Sequence, residues 1–183
     1  MGEWQELGEV DVFTTGTVGR PGQRVFFLQA RTNGHVVTIK CEKQQVEALA
    51  TYLDQLLTDL PAPEDLPLPS MLDLVEPLEP LFVLGGIGVA WDQSSDRVVL
   101  SFEEVITVDS DDDDDDDDED SISDAIEAFD ADDDRNTVQL RITRGQAMAF
   151  SQRGGEVVTA GRPTCRYCGL PKDPDGHPCP RMN

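Results

Sequence analysis

The segment Val37 to Leu49, VTIKCEKQQVEAL, aligns without a gap on the segment Val138 to Phe150, VQLRITRGQAMAF. Ile39 pairs with Leu140, Lys40 with Arg141, Lys43 with Arg144, Gln45 with Gln146 and Leu49 with Phe150. In both segments an alternating apolar stretch gives way to helical spacing, so each reads as a strand running directly into a helix.

Working outward, the same order of elements stands around both junctions. In the first half, Val10 to Val18 and Arg24 to Thr32 are rich in β-branched and aromatic residues and flank the turn Gly19-Arg-Pro-Gly22. Asn33-Gly34 marks a hairpin into His35 to Cys41, and the spacing of Val46, Leu49, Leu53, Leu56, Leu57 and Leu60 predicts a helix over Glu42 to Thr58. Six prolines between Pro61 and Pro80 make the following stretch a connector, because a helix cannot survive that density. In the second half, Phe82 to Asp92, the turn Gln93 to Asp96, Arg97 to Val108 and Thr137 to Thr143 read as three strands. A short helix from Arg144 to Gln152, terminated by Gly154-Gly155, completes it. Arg24-Val25-Phe26-Phe27 likewise resembles Arg97-Val98-Val99-Leu100. The expected fold is α+β, with two similar βββα units forming one domain over 1–160 about a pseudo-twofold axis. One such unit alone could not bury both faces of its sheet and helix.

The formal net charge is -23, but Asp109 to Asp134 holds 17 acidic groups, and removing them takes it to -6. This stretch reads as a solvated, disordered insertion between two strands. Closing so long a loop costs little, since the entropic penalty grows only logarithmically with length. Within it Ile122, Ala125, Ile126 and Phe129 fall at i, i+3, i+4 and i+7, so Ile122, Ile126 and Phe129 are candidates for a partner-binding helical face. The aspartates would steer a basic protein, and long-range repulsion disfavours nucleic acid and anionic lipid. The loop lacks the ligand spacing and pivotal glycine of a calcium-binding EF-hand.

No apolar run reaches the roughly 20 residues of a spanning helix. The start Met1-Gly-Glu-Trp-Gln-Glu lacks the basic and apolar segments of a signal peptide, so a cytoplasmic protein without membrane contact is expected. Three of the four cysteines cluster beside a histidine near the C-terminus, which is the usage of a metal site rather than of a secreted disulfide framework.

That cluster, Cys165, Cys168, His177 and Cys179, is the strongest functional signal. Two cysteines separated by two residues let the backbone turn round an ion, and Gly169 can take a positive φ without steric cost. Asp173-Pro-Asp-Gly176 is a turn sequence that would bring His177 and Cys179 back onto the first pair. Three thiolates and one imidazole close a tetrahedron, the pattern of structural zinc, whereas catalytic zinc keeps a position for water. The single residue between His177 and Cys179 is tight, and Cys41 or His35 stands as an alternative fourth ligand. A zinc-binding tail over 161–183 is expected, its folding coupled to the metal.

The tail residues Cys165, Cys168, Gly169, Pro171, Asp173, Pro174, Gly176, His177, Cys179, Pro180 and Arg181 resemble the ending of an actinobacterial family, domain-of-unknown-function family 3090. Some of its members are labelled repeat proteins. The resemblance covers nearly the whole chain and implies no activity, substrate or catalytic residue.

The remaining motifs carry little chemistry. Gly85-Gly86-Ile87-Gly88 precedes no helix that could present its N-terminus to phosphate, so a bulge or close strand contact is expected. A zinc deaminase would need His-x-Glu, but His35 is followed by Val36-Val37. A redox Cys-x-x-Cys lacks a thioredoxin-like context. The expected function is that of a non-catalytic zinc-binding protein serving as a protein-protein interaction or adaptor module, its partner an unidentified protein. The alternatives are a nucleic-acid-associated regulatory factor whose acidic loop is autoinhibitory, and an enzyme whose site is unrecognised.

Overall fold

The computed structural model describes residues 2–106, 135–160, 165–169 and 179–181. The chain forms β1 (Trp4–Glu9), β2 (Val12–Val18), β3 (Val25–Thr32), β4 (His35–Cys41), α1 (Lys43–Thr58), β5 (Leu84–Asp92), β6 (Arg97–Glu104), β7 (Thr137–Ile142) and α2 (Arg144–Thr159). The architecture is α+β, as the sequence implies, with β2-β3-β4 as one antiparallel sheet and β1-β7-β6-β5 as the other. Three antiparallel strands followed by a helix thus occur twice. The acidic stretch 109–134 lies outside the described residues.

Each helix starts on a glutamine three residues beyond its cap. In α2 the hydroxyl of Thr143 accepts from the Gln146 N–H at 3.1 Å, and Gln146 Oε1 accepts from the Thr143 N–H at 2.8 Å. This reciprocal box satisfies two amides that a helix end leaves open. In α1 the Gln45 side chain accepts from the Glu42 N–H at 2.9 Å. The spare amide groups reach across the molecule. Gln45 Nε2 donates to the carbonyls of Leu84 and Gly85 at 3.1 and 3.2 Å, and Gln146 Nε2 donates to those of Val10 and Asp11 at 2.8 and 3.0 Å.

The sheets are joined at two corners. β1 runs parallel to β7, and beyond its end Val10 N–H donates to Arg141 O at 3.2 Å before the chain enters β2. Residues 81–83 run beside β4, with Leu81 N–H on Thr38 O at 2.8 Å and Lys40 N–H on Phe82 O at 3.1 Å, before the chain enters β5. The inner faces of both sheets share one core with Val46, Leu49, Ala50, Leu53 and Leu57 of α1 and Ala147, Phe150 and Val158 of α2. Phe13 stacks on Phe150 at 4.6 Å and on Phe102 at 5.8 Å, locking β2, α2 and β6 together.

The proline-rich connector between α1 and β5 is a strap over the outer face of the three-stranded sheet. Thr14, Gln29 and Thr38 stand in one cross-strand row and are almost wholly buried. Thr14 donates to Leu72 O at 2.6 Å and Thr38 to Pro77 O at 3.0 Å, while Gln29 donates to Val75 O at 2.8 Å and accepts from Val75 N–H at 3.0 Å. A strap with no regular partner strand thereby has its backbone polar groups satisfied by side chains. Leu72 fills a second small cluster with Val12 and Ala149, and Arg153 pairs with Asp73 at 3.2 Å.

Four sequence expectations are corrected. The helix expected to end at Gln152 runs on through Gly154-Gly155 to Thr159. Gly154 is there for packing, because a Cβ at that position would lie 2.9 Å from Ala50 Cβ, where α2 crosses α1. Strand β1 was not anticipated, since its Gln5, Glu6 and Glu9 dilute the strand pattern and its pairing is with the distant β7. β6 ends at Glu104, with Val105 N–H still donating to Val83 O at 2.8 Å on the β5 side, while Thr107 and Val108 lie outside the described residues. Finally, Phe26 stands opposite Cys41 and Val98 opposite Ile142, so Phe26 corresponds to Val98 and the pairing of Arg24 with Arg97 is one residue out. A one-residue slip would turn the buried Leu28 and Leu100 onto opposite faces. The expected bulge is present at Gly85, between Leu84 and Gly86.

Candidate metal centre

Cys165, Cys168 and Cys179 converge at the end of the chain with their sulfurs all within 4.8 Å of one another. Two local features turn the chain there. Gly169 takes φ +75°, and its N–H donates to Cys165 O at 2.8 Å, closing the Cys-x-x-Cys turn. Arg181 donates to Tyr167 O at 3.0 Å, which ties the segment bearing Cys179 to that turn, and the Arg166 guanidinium lies 4.7 Å over the Tyr167 ring.

The geometry suits a thiolate-bound ion. Zinc–sulfur bonds of about 2.3 Å at tetrahedral angles put neighbouring sulfurs about 3.8 Å apart. Cys165 Sγ and Cys179 Sγ are 3.9 Å apart. The Cys165 thiol is drawn down to about 7, first by the backbone N–H of Cys168, then by that of Tyr167, with smaller help from the other two cysteines and against the effect of burial. Amides aimed at a sulfur favour its thiolate, the form that binds metal.

His177 lies outside the described residues. Of the two alternative ligands, neither joins the group: among the described residues the three cysteines form the one set of His, Cys, Asp or Glu able to hold a metal. Cys41 is a core residue at the end of β4, 3% exposed, and burial above all pushes its thiol up to about 12. His35 sits exposed at the hairpin, paired with Thr32. Ile122, Ile126 and Phe129 lie outside the described residues as well. What sequence reasoning missed is the buried polar row Thr14, Gln29 and Thr38. Its one sequence signal is a glutamine inside the otherwise apolar run from Val25 to Ala30 of β3.

Fold and site together define a mixed α+β protein of two sheets and two helices with a C-terminal cysteine cluster that could bind a metal ion. The chain belongs to the family described as protein of unknown function DUF3090, whose model matches residues 5–179. No curated protein and no solved structure matches it. Among the described residues no helix is long and apolar enough to cross a membrane.

Proposed function

We propose that the protein is a non-catalytic zinc-binding module that acts through protein-protein contacts. The observation that carries this reading is the convergence of Cys165, Cys168 and Cys179 within 4.8 Å. Zinc is the ion of choice for three thiolates and an imidazole, and His177 is the proposed fourth ligand. A set closed by four protein ligands leaves no position for water or substrate, so the metal holds the tail rather than performing chemistry. The segment 161–183 is too short for a core of its own, and structural zinc in small peptides supplies on the order of 10 kcal/mol at neutral pH.

Residues 1–160 are proposed to be a duplicated βββα domain. The reciprocal reach of Gln45 and Gln146 supports this, since two aligned residues do the same job in opposite directions. The bonds of Lys40 and Arg141, also aligned, to the residues leading into β5 and β2 support it as well. An unidentified protein, steered by the acidic insertion if it is basic, is the proposed partner, with Ile122, Ile126 and Phe129 as one contact face. A cytoplasmic location fits cysteines kept as thiolates.

Protein purified without chelator should hold close to one zinc per chain by elemental analysis. Cys168→Ser should lose it and Cys41→Ser should keep it. Metal-free protein would overturn the proposal, and metal lost from Cys41→Ser would show the ligand set to be wrong.

A further inference from the structure

We infer that the cysteine cluster is a peroxide-sensitive switch, in which two-electron oxidation joins Cys165 to Cys179 as a disulfide and releases the bound ion. Release of the ion rests on the zinc site proposed above; the pairing of the sulfurs rests on their positions. The oxidant is hydrogen peroxide, a small neutral molecule that reaches an exposed sulfur without a binding pocket of its own. Of the four cysteines in the chain, the reaction consumes these two.

The sulfurs are placed for it. Cys165 Sγ and Cys179 Sγ lie 3.9 Å apart, close enough for side-chain rotation to bring them to bonding distance. Neither contact that holds their segments together uses a sulfur: Gly169 N–H donates to Cys165 O at 2.8 Å, and Arg181 donates to Tyr167 O at 3.0 Å. Both contacts survive oxidation, so the two sulfurs stay side by side while they react. Access to them is graded as well. Cys165 is 8% exposed, whereas Cys168 and Cys179 are half-buried. An accessible thiolate poised next to a second sulfur is the arrangement of a peroxide-sensing cysteine and its resolving partner. Cys41 offers neither property, being 3% exposed in the core and outside the cluster.

The steps balance. A metal-bound cysteine is already a thiolate. The Cys179 thiolate attacks one oxygen of the peroxide; an S–O bond forms, the O–O bond breaks and hydroxide leaves. The Cys165 thiolate then attacks the Cys179 sulfur; the S–S bond forms, the S–O bond breaks and a second hydroxide leaves. Two thiolates have given up two electrons, and the peroxide has taken both. Cys168 is the other accessible sulfur, and a bond from it to Cys165 would be confined to one four-residue turn. Disulfides within Cys-x-x-Cys are among the readily reduced ones, and exchange with the neighbouring Cys179 passes such a bond on to the Cys165–Cys179 pair.

Oxidation on this route changes the tail and spares the domain. Only the thiolate is a ligand, so the bond removes two of the four proposed ligands and leaves Cys168 and His177, too few to retain the ion. The disulfide takes over the task of tying the segment of Cys179 to the turn of Cys165. Neither core cluster contains Cys165, Cys168 or Cys179, and Cys41, which does belong to the core, takes no part. The result is a reversible change in what the tail presents to a partner, not damage to the fold.

The test uses the full reduced chain, its zinc content measured before hydrogen peroxide is added. Peroxide is raised until Cys41, alkylated after unfolding, begins to disappear; the buried thiol thus marks the end of selective oxidation. Before that point the zinc should be released to a metal-sensitive dye, and the alkylatable thiols should fall from four to two. Trypsin cuts after Arg166 and Lys172 and so puts Cys165, Cys168 and Cys179 on separate peptides, of which the first and third should be found linked. Cys168→Ser, which the zinc proposal expects to be metal-free, should form the same link, and Cys179→Ser should not. Dithiothreitol with added zinc should restore the starting state. Zinc kept until Cys41 reacts, a Cys165–Cys168 bond as the main product, or sulfinic acid in place of a disulfide would each overturn the switch and leave the zinc site standing. Reduced protein without zinc would overturn the zinc site and with it the release, and the peptide map of Cys168→Ser would still decide the pairing.

Discussion

Gly154 and Gly155 are neighbours in one helix, and the structure requires opposite responses when each becomes alanine. At Gly155 an added Cβ meets nothing within 4 Å. Gly155→Ala should therefore gain the helix propensity difference of about 0.8–1 kcal/mol. For a chain of this size that raises the melting temperature by about 2–4 °C. At Gly154 the same gain is opposed by a methyl placed 2.9 Å from Ala50 Cβ and 3.5 Å from Val46 Cγ1. Carbon atoms prefer about 3.5–4.0 Å, so the helices must part by the better part of an ångström, and overpacking of this kind costs about 1–3 kcal/mol. The Ser151 hydroxyl bond to Ala50 O, 2.9 Å long at the same crossing, would stretch with it. Gly154→Ala should be neutral to about 2 kcal/mol less stable than the parent, and about 1–3 kcal/mol less stable than Gly155→Ala. Thermal and urea unfolding of the two variants against the parent measure this. Equal gains from both would mean that the helices do not cross at Gly154. Losses from both would mean that the pair terminates the helix in a left-handed conformation, as the sequence suggests, and that the long α2 is wrong.

Gln29→Met removes the three hydrogen bonds of a wholly buried side chain and strands the N–H and C=O of Val75. A loss of about 2–3 kcal/mol in urea unfolding is expected, and a change below about 0.5 kcal/mol would mean that the strap does not depend on the row. Deleting Asp111 to Asp120 should leave the melting temperature nearly unchanged or slightly raised, because it removes self-repulsion and no core; a lost cooperative transition would show that the insertion is structural. Changing Ile122, Ile126 and Phe129 together to Ser should abolish partner capture while sparing fold and zinc, whereas deleting the aspartates should mainly slow association. Unchanged affinity of the triple variant would return the segment to a solvated spacer.

The elements legible in the sequence are those whose signal is local. The Asn33-Gly34 turn takes positive φ at both positions, and the α1 stripe of Val46, Leu49, Ala50, Leu53 and Leu57 is buried as its spacing implies. Cys165 and Cys168 meet in space because the Cys-x-x-Cys turn and its glycine are themselves local geometry, and Cys179 is tied to that turn by Arg181 on Tyr167 O. The features that escaped depend on partners far along the chain. β1 is a strand by virtue of β7, with Trp4 facing Thr137. Gly154 reads as a helix stop until Ala50 is placed against it. The strap reads only as proline-broken, because its order comes from Thr14, Gln29 and Thr38 rather than from its own sequence. The acidic insertion and His177 belong to neither class, lying outside the described residues.

If the halves are equivalent as proposed, their differences locate what the second half gained. Elements that build the core match closely: both glutamine caps, both parallel corners, and Leu28 with Leu100 and Ile39 with Leu140, all buried. The departures all fall on one side. The two-residue turn between β3 and β4 is replaced by the long acidic insertion between β6 and β7. The strap after α1 is answered after α2 by a tail whose cysteines close on each other. The buried row Thr14, Gln29, Thr38 is matched by the half-buried row Gly88, Ser101, Gln139. Core packing constrains both units alike, because one hydrophobic centre serves them both, so surface segments were free to diverge at little cost in stability. On that proposal the cysteine site and the charged insertion stand on the same half. An interaction protein with these two devices would use its first half as scaffold, and variants that disturb binding without disturbing the fold should concentrate in the second.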